Sequence, residues 1–168
     1  MPSLTRAAAR ERAASVQVEA YQIDLDLTRG DDRFGSVTTI TFTAANPGLT
    51  TFVDVRPSVL RSASLNGTSL DPGSLRDGRL PLPNLAGHNV LVVDAEMAYT
   101  NNGQGLHRFV DPADGQTYVY AASFLDQAPT VFACFDQPDL KAPFTVEVSV
   151  DESWIVAGNG IATEVRPG

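Results

Sequence analysis

From Val16 onward, apolar and polar residues alternate with a period of two, the mark of strands with one dry and one wet face. Tyr21, Ile23, Leu25 and Leu27 share one face, and Gln22, Asp24 and Asp26 the other. After the turn Arg29-Gly30-Asp31-Asp32, the residues Phe34, Thr38, Ile40, Phe42 and Ala44 continue a second strand on even numbers until Asn46-Pro47-Gly48 breaks it. Phe52, Val53 and Val55 make a third. Val59 to Leu65 and Thr68 to Leu70 flank Asn66-Gly67, which predicts a two-residue hairpin because both central positions of a type I′ turn need positive φ. Asp71 to Asn84 carries three prolines and two glycines, so it reads as loop with at most a short strand at Leu80 to Leu82. Asn89 to Thr100 is a long strand, with Leu91, Val93, Ala95, Met97 and Tyr99 facing one way and Asp94 and Glu96 the other. Leu106 to Val110 and Gln116 to Ala121 bracket Asp111-Pro112-Ala113-Asp114-Gly115, a hairpin loop.

The stretch Val131 to Phe144 is the most distinctive. Val131 to Phe135 is short, apolar and β-prone, which suits a buried strand. Asp136 starts a turn in which its carboxylate can accept backbone N–H bonds, and Pro138 pushes Gln137 into an extended conformation. Phe144 to Val150 then alternates as a half-buried strand. Trp154 to Gly160 reads as another strand, and Thr163-Glu164-Val165 as the start of its hairpin partner; a hairpin half built at Gly168 is expected of a chain that continues in a longer protein. Residues 1–15 read as a short helix or frayed arm, with Thr5 as cap and Ala7, Ala8, Ala9, Ala13 and Ala14 as helix formers. Beyond this arm no apolar stripe of helical period runs for three turns. The expected fold is all-β, an antiparallel β-sandwich or saddle with a short N-terminal helical arm, and residues 16–168 form one domain without internal boundary.

Composition narrows the partners. The 168 residues hold 12 Lys plus Arg against 20 Asp plus Glu, a net charge of -8, which argues against nucleic acid or an anionic membrane as partner. Cys134 is the single cysteine, so neither an internal disulfide nor a four-thiolate zinc site can form, and a reducing, cytoplasmic compartment fits best. No apolar run is long enough for a signal-peptide core or a membrane span. Between Phe132 and Phe135, Cys134 reads as a small buried hydrophobe rather than a nucleophile.

Phe132-x-Cys134-Phe135-Asp136-Gln137-Pro138-x-x-Lys141-Ala142-x-Phe144 closely resembles the F-x-C-F-D-E/Q-P-x-x-K-A-x-F signature in the amino-terminal domain of M1-family zinc aminopeptidases, the aminopeptidase N group of actinobacterial type. Tyr21 to Leu27 is similar to the opening strand of that family, Arg61 to Gly67 to its inner hairpin, Gly105 to Pro112 to its approach to the site, and Trp154 to Gly160 to its W-x-x-x-x-N-G. The resemblance implies an amino-terminal β domain that flanks the active-site cleft of a zinc metalloaminopeptidase releasing N-terminal amino acids from peptides. It further implies peptide substrates and a catalytic domain as partners, with zinc bound by that missing domain.

The chain itself carries no H-E-x-x-H, no G-A-M-E-N and no other nucleophile, phosphate or dinucleotide motif. Its histidines, His88 and His107, have no partner one helical turn away and read as structural or solvent-exposed. No catalytic residue and no metal ligand is therefore expected in this segment. In the resembling family a Gln-x-Glu before the cysteine helps bind the substrate amino group; ungapped placement puts Ala122 and Phe124 there, and the following D-A-R-R is replaced by Gln127-Ala128-Pro129-Thr130. Two accounts of amine recognition stay open. Asp126 and Gln127 take over as substrate-binding residues after a local shift, or the catalytic domain holds the amine alone. The runner-up functions are a catalytically silent relative serving as an interaction scaffold, and a free-standing β-sandwich binding module.

Overall fold

The computed structural model describes residues 4–165, apart from the side chain of Leu125; residues 1–3 of the expected arm and 166–168 lie outside it. Helix α1 (Arg6–Ser15) begins at Thr5, whose Oγ1 accepts a hydrogen bond from Ala8 N at 3.2 Å. Ten strands follow: β1 (Val16–Asp26), β2 (Arg33–Ala44), β3 (Thr51–Asp54), β4 (Val59–Leu65), β5 (Thr68–Ser69), β6 (Arg79–Leu82), β7 (His88–Ala98), β8 (Gly105–Val110), β9 (Thr117–Ala122) and β10 (Phe144–Ser149). Six form one sheet in the order β10-β1-β2-β7-β4-β5, while β3 pairs with β6 and β8 with β9 in two-stranded ribbons.

Period-two patterning does what it predicts in the central strands. Ile40 sits opposite Leu91 and Phe34 opposite Met97, and all four are fully buried on one face. Burial of such a side chain is worth about 1.5–3 kcal/mol, so this face is the largest store of stability in the sheet. In β1 a bulge between Val18 and Ala20 moves the inward positions from even to odd numbers, which puts Val16, Val18, Tyr21 and Ile23 all in the core. At the β4–β5 turn Asn66 and Gly67 have φ of 53° and 78°, the pair of positive values that the hairpin requires. Val53, Leu80 and Leu82 of the β3–β6 ribbon are fully buried and cover the same face as a second layer.

Three expectations change. Val131 to Phe135 is not a strand: it is irregular, with one antiparallel bridge between Cys134 and Asp54. Two of its amides find side-chain partners, Ala133 N donating to Thr38 Oγ1 at 3.3 Å and Phe135 N to Tyr21 Oη at 3.1 Å, while Val131 N and Phe132 N donate back to Ala128 O. Strand β10 exists, but it runs parallel to β1 and is almost wholly exposed rather than half-buried, with Phe144 and Val146 each 53% exposed. As the outermost strand it has only β1 beside it, and although Phe144 meets the rings of Tyr21 and Phe132, its side chains stay largely open to solvent. Trp154 to Gly160 and Thr163 to Val165 form neither strand nor hairpin, because no described strand lies alongside to accept their hydrogen bonds.

Cys134 is 5% exposed, and burial raises its thiol well above the ordinary value, with Asp136 and Asp54 adding to the effect. Cys134→Ser is expected to lower the unfolding free energy by about 1–3 kcal/mol in denaturant titration, since the hydroxyl loses water without gaining partners. Thiol-reagent labelling of native Cys134 should be slow and should speed up only with unfolding.

Candidate functional site

Every apolar residue of the segment around Cys134 has a packing reason. Phe135 meets Phe42 edge-on at 5.2 Å between ring centroids, and Phe144 stacks on Tyr21 at 4.6 Å and takes Phe132 edge-on at 6.0 Å. The backbone of Cys134 is tied to β3 by Asp54 N donating to Cys134 O at 2.8 Å and Cys134 N to Asp54 O at 3.0 Å. Pro138 and Lys141 are exposed and take part in none of these contacts.

Around this junction lies a buried polar knot. Asp54, 2% exposed, accepts from Arg12 Nη1 at 3.3 Å and from Asp136 N at 3.1 Å, and Arg79 Nε lies 3.6 Å away. The expected turn is thus reversed: the Asp136 amide is a donor to another carboxylate. Arg12 Nε donates to Gln137 Oε1 at 2.9 Å, and Gln137 Nε2 donates to Ala9 O at 2.9 Å. The ring of Phe52 is flanked by the Arg12 and Arg79 guanidinium carbons at 4.6 and 4.4 Å. Burial raises the Asp54 carboxyl above its ordinary value even against the pull of Arg12. Sequence reading missed Arg12, Asp54 and Arg79. The one available signal was Asp54 itself, a lone charge inside Phe52-Val53-Asp54-Val55.

Asp126 and Gln127 sit in the 3-10 turn Leu125–Thr130 that links β9 to the Cys134 segment. Asp126 is exposed, and its carboxylate Oδ1 accepts from Gln127 Nε2 at 2.9 Å, so the two act as one unit. Arg56, just beyond β3, pins the turn by donating its backbone N to Pro129 O at 2.7 Å and its guanidinium to Asp126 O. Asp136 is half-buried, and its carboxyl is raised by burial first, then by Asp54 and Asp126. The surface here therefore offers two carboxylates close enough for Asp126 to raise the Asp136 carboxyl, an arrangement that favours a cation. Ala122, at the end of β9, and Phe124, 80% exposed just after it, offer no charged group. A surface hollow of about 480 Å³ lined by residues including Asp31, Tyr99, Asn102 and Arg108 lies elsewhere and includes none of these groups.

His88 Nε2 lies 3.4 Å from Glu19 at the surface, while His107 is buried, its Nδ1 accepting from Gly103 N at 3.0 Å and its ring tilted against Tyr120 at 4.8 Å between centroids. Among the described residues no three His, Cys, Asp or Glu side chains come together to hold a metal ion. The donor set of this segment does not fit zinc, and no metal-dependent step is assigned to its residues.

The sign of the Asp136 shift gives a pH test. Its folded pKa lies above the ordinary value of 3.8, so the folded state holds more protons than the unfolded one, and stability is lost as pH rises through the folded pKa. Asp136→Asn is expected to be more stable than wild type at neutral pH, with the difference closing below about pH 3.8, the ordinary aspartate value. Denaturant midpoints measured from pH 3 to 8 check this; a wild-type advantage at neutral pH would contradict it.

No protein-family model matches the chain. Aminopeptidase N of Streptomyces lividans is 45% identical over an alignment of 168 positions that covers 98% of this chain and 20% of that protein. The similarity carried by the segment around Cys134 therefore holds along nearly the whole chain, which spans about one fifth of the length of that aminopeptidase N.

Proposed function

We propose that the chain is the amino-terminal β domain of a zinc-dependent aminopeptidase, that it flanks the cleft in which N-terminal amino acids are released from peptides, and that Asp126 helps to anchor the substrate's free amino group. The observation that carries the first part is the 45% identity to aminopeptidase N over 98% of the chain. Support for the anchor comes from the exposed Asp126 carboxylate, fixed by Gln127 and by the Arg56 clamp on its turn. A carboxylate pairing with an ammonium ion forms a charge-assisted bond, and a turn locked in place loses little entropy when it does so. Zinc in this reading is held by residues outside the segment and supplies the activated water of peptide hydrolysis. The single buried cysteine and the acidic surface fit a cytoplasmic enzyme acting on peptides.

The test is the longer polypeptide that carries this segment, assayed for release of N-terminal residues with and without a zinc chelator. Absence of release, or release untouched by chelation, would overturn the assignment. Within that enzyme Asp126→Asn should raise the Michaelis constant for short peptides by roughly ten- to a hundred-fold, the worth of a charge-assisted contact, and lower turnover less, because the contact exists in both bound substrate and transition state. Gln127→Ala should do less, since it removes a neutral partner. An unchanged Michaelis constant in Asp126→Asn would assign amine recognition to the catalytic domain alone.

A further inference from the structure

Helix α1 is docked without an apolar face. Of its 10 residues only Arg12 is buried. What holds the helix is therefore polar: Arg12 on Asp54 and Gln137, Gln137 on Ala9 O, and Ala45 N on Ser15 O at 2.9 Å. A buried ion pair contributes little net stability against an apolar replacement, but it fixes geometry, because the charges tolerate few arrangements. Here it fixes one short rib of backbone. From Asp54 the carboxylate holds the Asp136 amide, and two residues on, Arg56 holds Pro129 O and Asp126 O. The two turns that carry the surface carboxylates Asp126 and Asp136 thus hang from residues 54–56, and Arg12 sets the position of that rib from the far side.

We propose that Arg12 is a positioning residue for amine recognition: through Asp54 it sets the placement of the Asp126 turn and the Asp136 turn relative to each other. This rests on the reading of Asp126 as the amine anchor. Without the Arg12 guanidinium, the Asp54 carboxylate stays buried beside Asp136 with only the more distant Arg79, 3.6 Å away, as its cation, and the rib shifts to bring it water or distance. The Asp126 carboxylate then loses its placement, and misplacement of about 1 Å is enough to cost binding severely.

The experiment uses the longer polypeptide in four forms: wild type, Arg12→Met, Arg12→Lys and Asp126→Asn. Each is measured with a short unblocked peptide and with two competitive inhibitors, leucine hydroxamate and the same hydroxamate lacking the α-amino group. Arg12→Met is expected to raise KM about tenfold with little change in kcat, and to weaken the amine-bearing inhibitor by the same factor while sparing its counterpart. Arg12→Lys, which keeps the charge but cannot reach both Asp54 and Gln137, should fall between. In the 168-residue chain, hydrogen exchange at the Asp136 amide should speed up about tenfold or more in both Arg12 variants while amides of β2 and β7 keep their protection. Equal weakening of both inhibitors, a fall in kcat alone, or exchange that speeds up uniformly would show that Arg12 only holds the fold, and would overturn the proposal. If Asp126→Asn raises KM and Arg12→Lys does not, positioning fails while the anchor stands; if Asp126→Asn leaves KM unchanged, both fail. Should Arg12→Met not fold, Arg12→Lys carries the same comparison.

Discussion

A carboxylate taken out of water must be met by charge and hydrogen bonds, and Asp54 is met from three directions: Arg12 on the arm, Arg79 on β6 and the Asp136 amide. Desolvation costs several kcal/mol per ion, so removal of any one partner leaves a penalty that the others cannot absorb. The cluster gains specificity from the distance it spans in sequence, Arg12 and Gln137 being 125 residues apart. An apolar plug could fill the same space in several ways. This knot closes in one, and the Cys134 segment, β3 and the helix are registered against each other by it.

Much of the sheet was legible because burial on a single face leaves a period-two trace. The even positions of β2, the odd positions of β7 and the Asn66-Gly67 turn could be read directly, since each residue's environment is set by its neighbours in the same strand. Val131 to Phe135 was misread for a physical reason: apolar content reports burial, and burial was present, but its backbone bonds are divided among the preceding turn, one bridge to Asp54, and the Thr38 and Tyr21 side chains, a mixture that no local pattern reveals. Phe144 to Ser149 misled in the opposite way. Alternation promised a covered face, and in the structure that face is open. Arg12 lay beyond reach altogether, since an arginine among alanines has the same sequence appearance whether solvated or buried.

The candidate site was legible only in outline. Asp126 and Gln127 are candidates because they are the polar groups nearest to where the family's anchor is missing, and the structure sets both in one turn with their side chains hydrogen-bonded. Their clamp, Arg56, and the second carboxylate, Asp136, come from elsewhere in the chain and meet them only through the fold. The long family signature also divides in an informative way: Phe132, Cys134, Phe135 and Phe144 serve packing, Asp136 and Gln137 serve the knot, and Lys141 is left at the surface without a structural task.

The parallel pairing of β10 with β1 has a consequence for the living cell. A chain emerges from the ribosome amino end first, so β1 and β2 can zip together early, but the outer neighbour of β1 begins only at Phe144, opposite Tyr21. Non-local pairing of this kind is slow, because the intervening chain must be ordered before it is rewarded. Until Phe144 to Ser149 has been made and docked, the outer edge of β1 therefore stands open beside an apolar face, in the state most prone to pair with the wrong chain. Of the strands of this sheet, β1 precedes the others in the sequence and is sealed on its outer edge by the last of them, and the yield of folded protein depends on how that interval is survived.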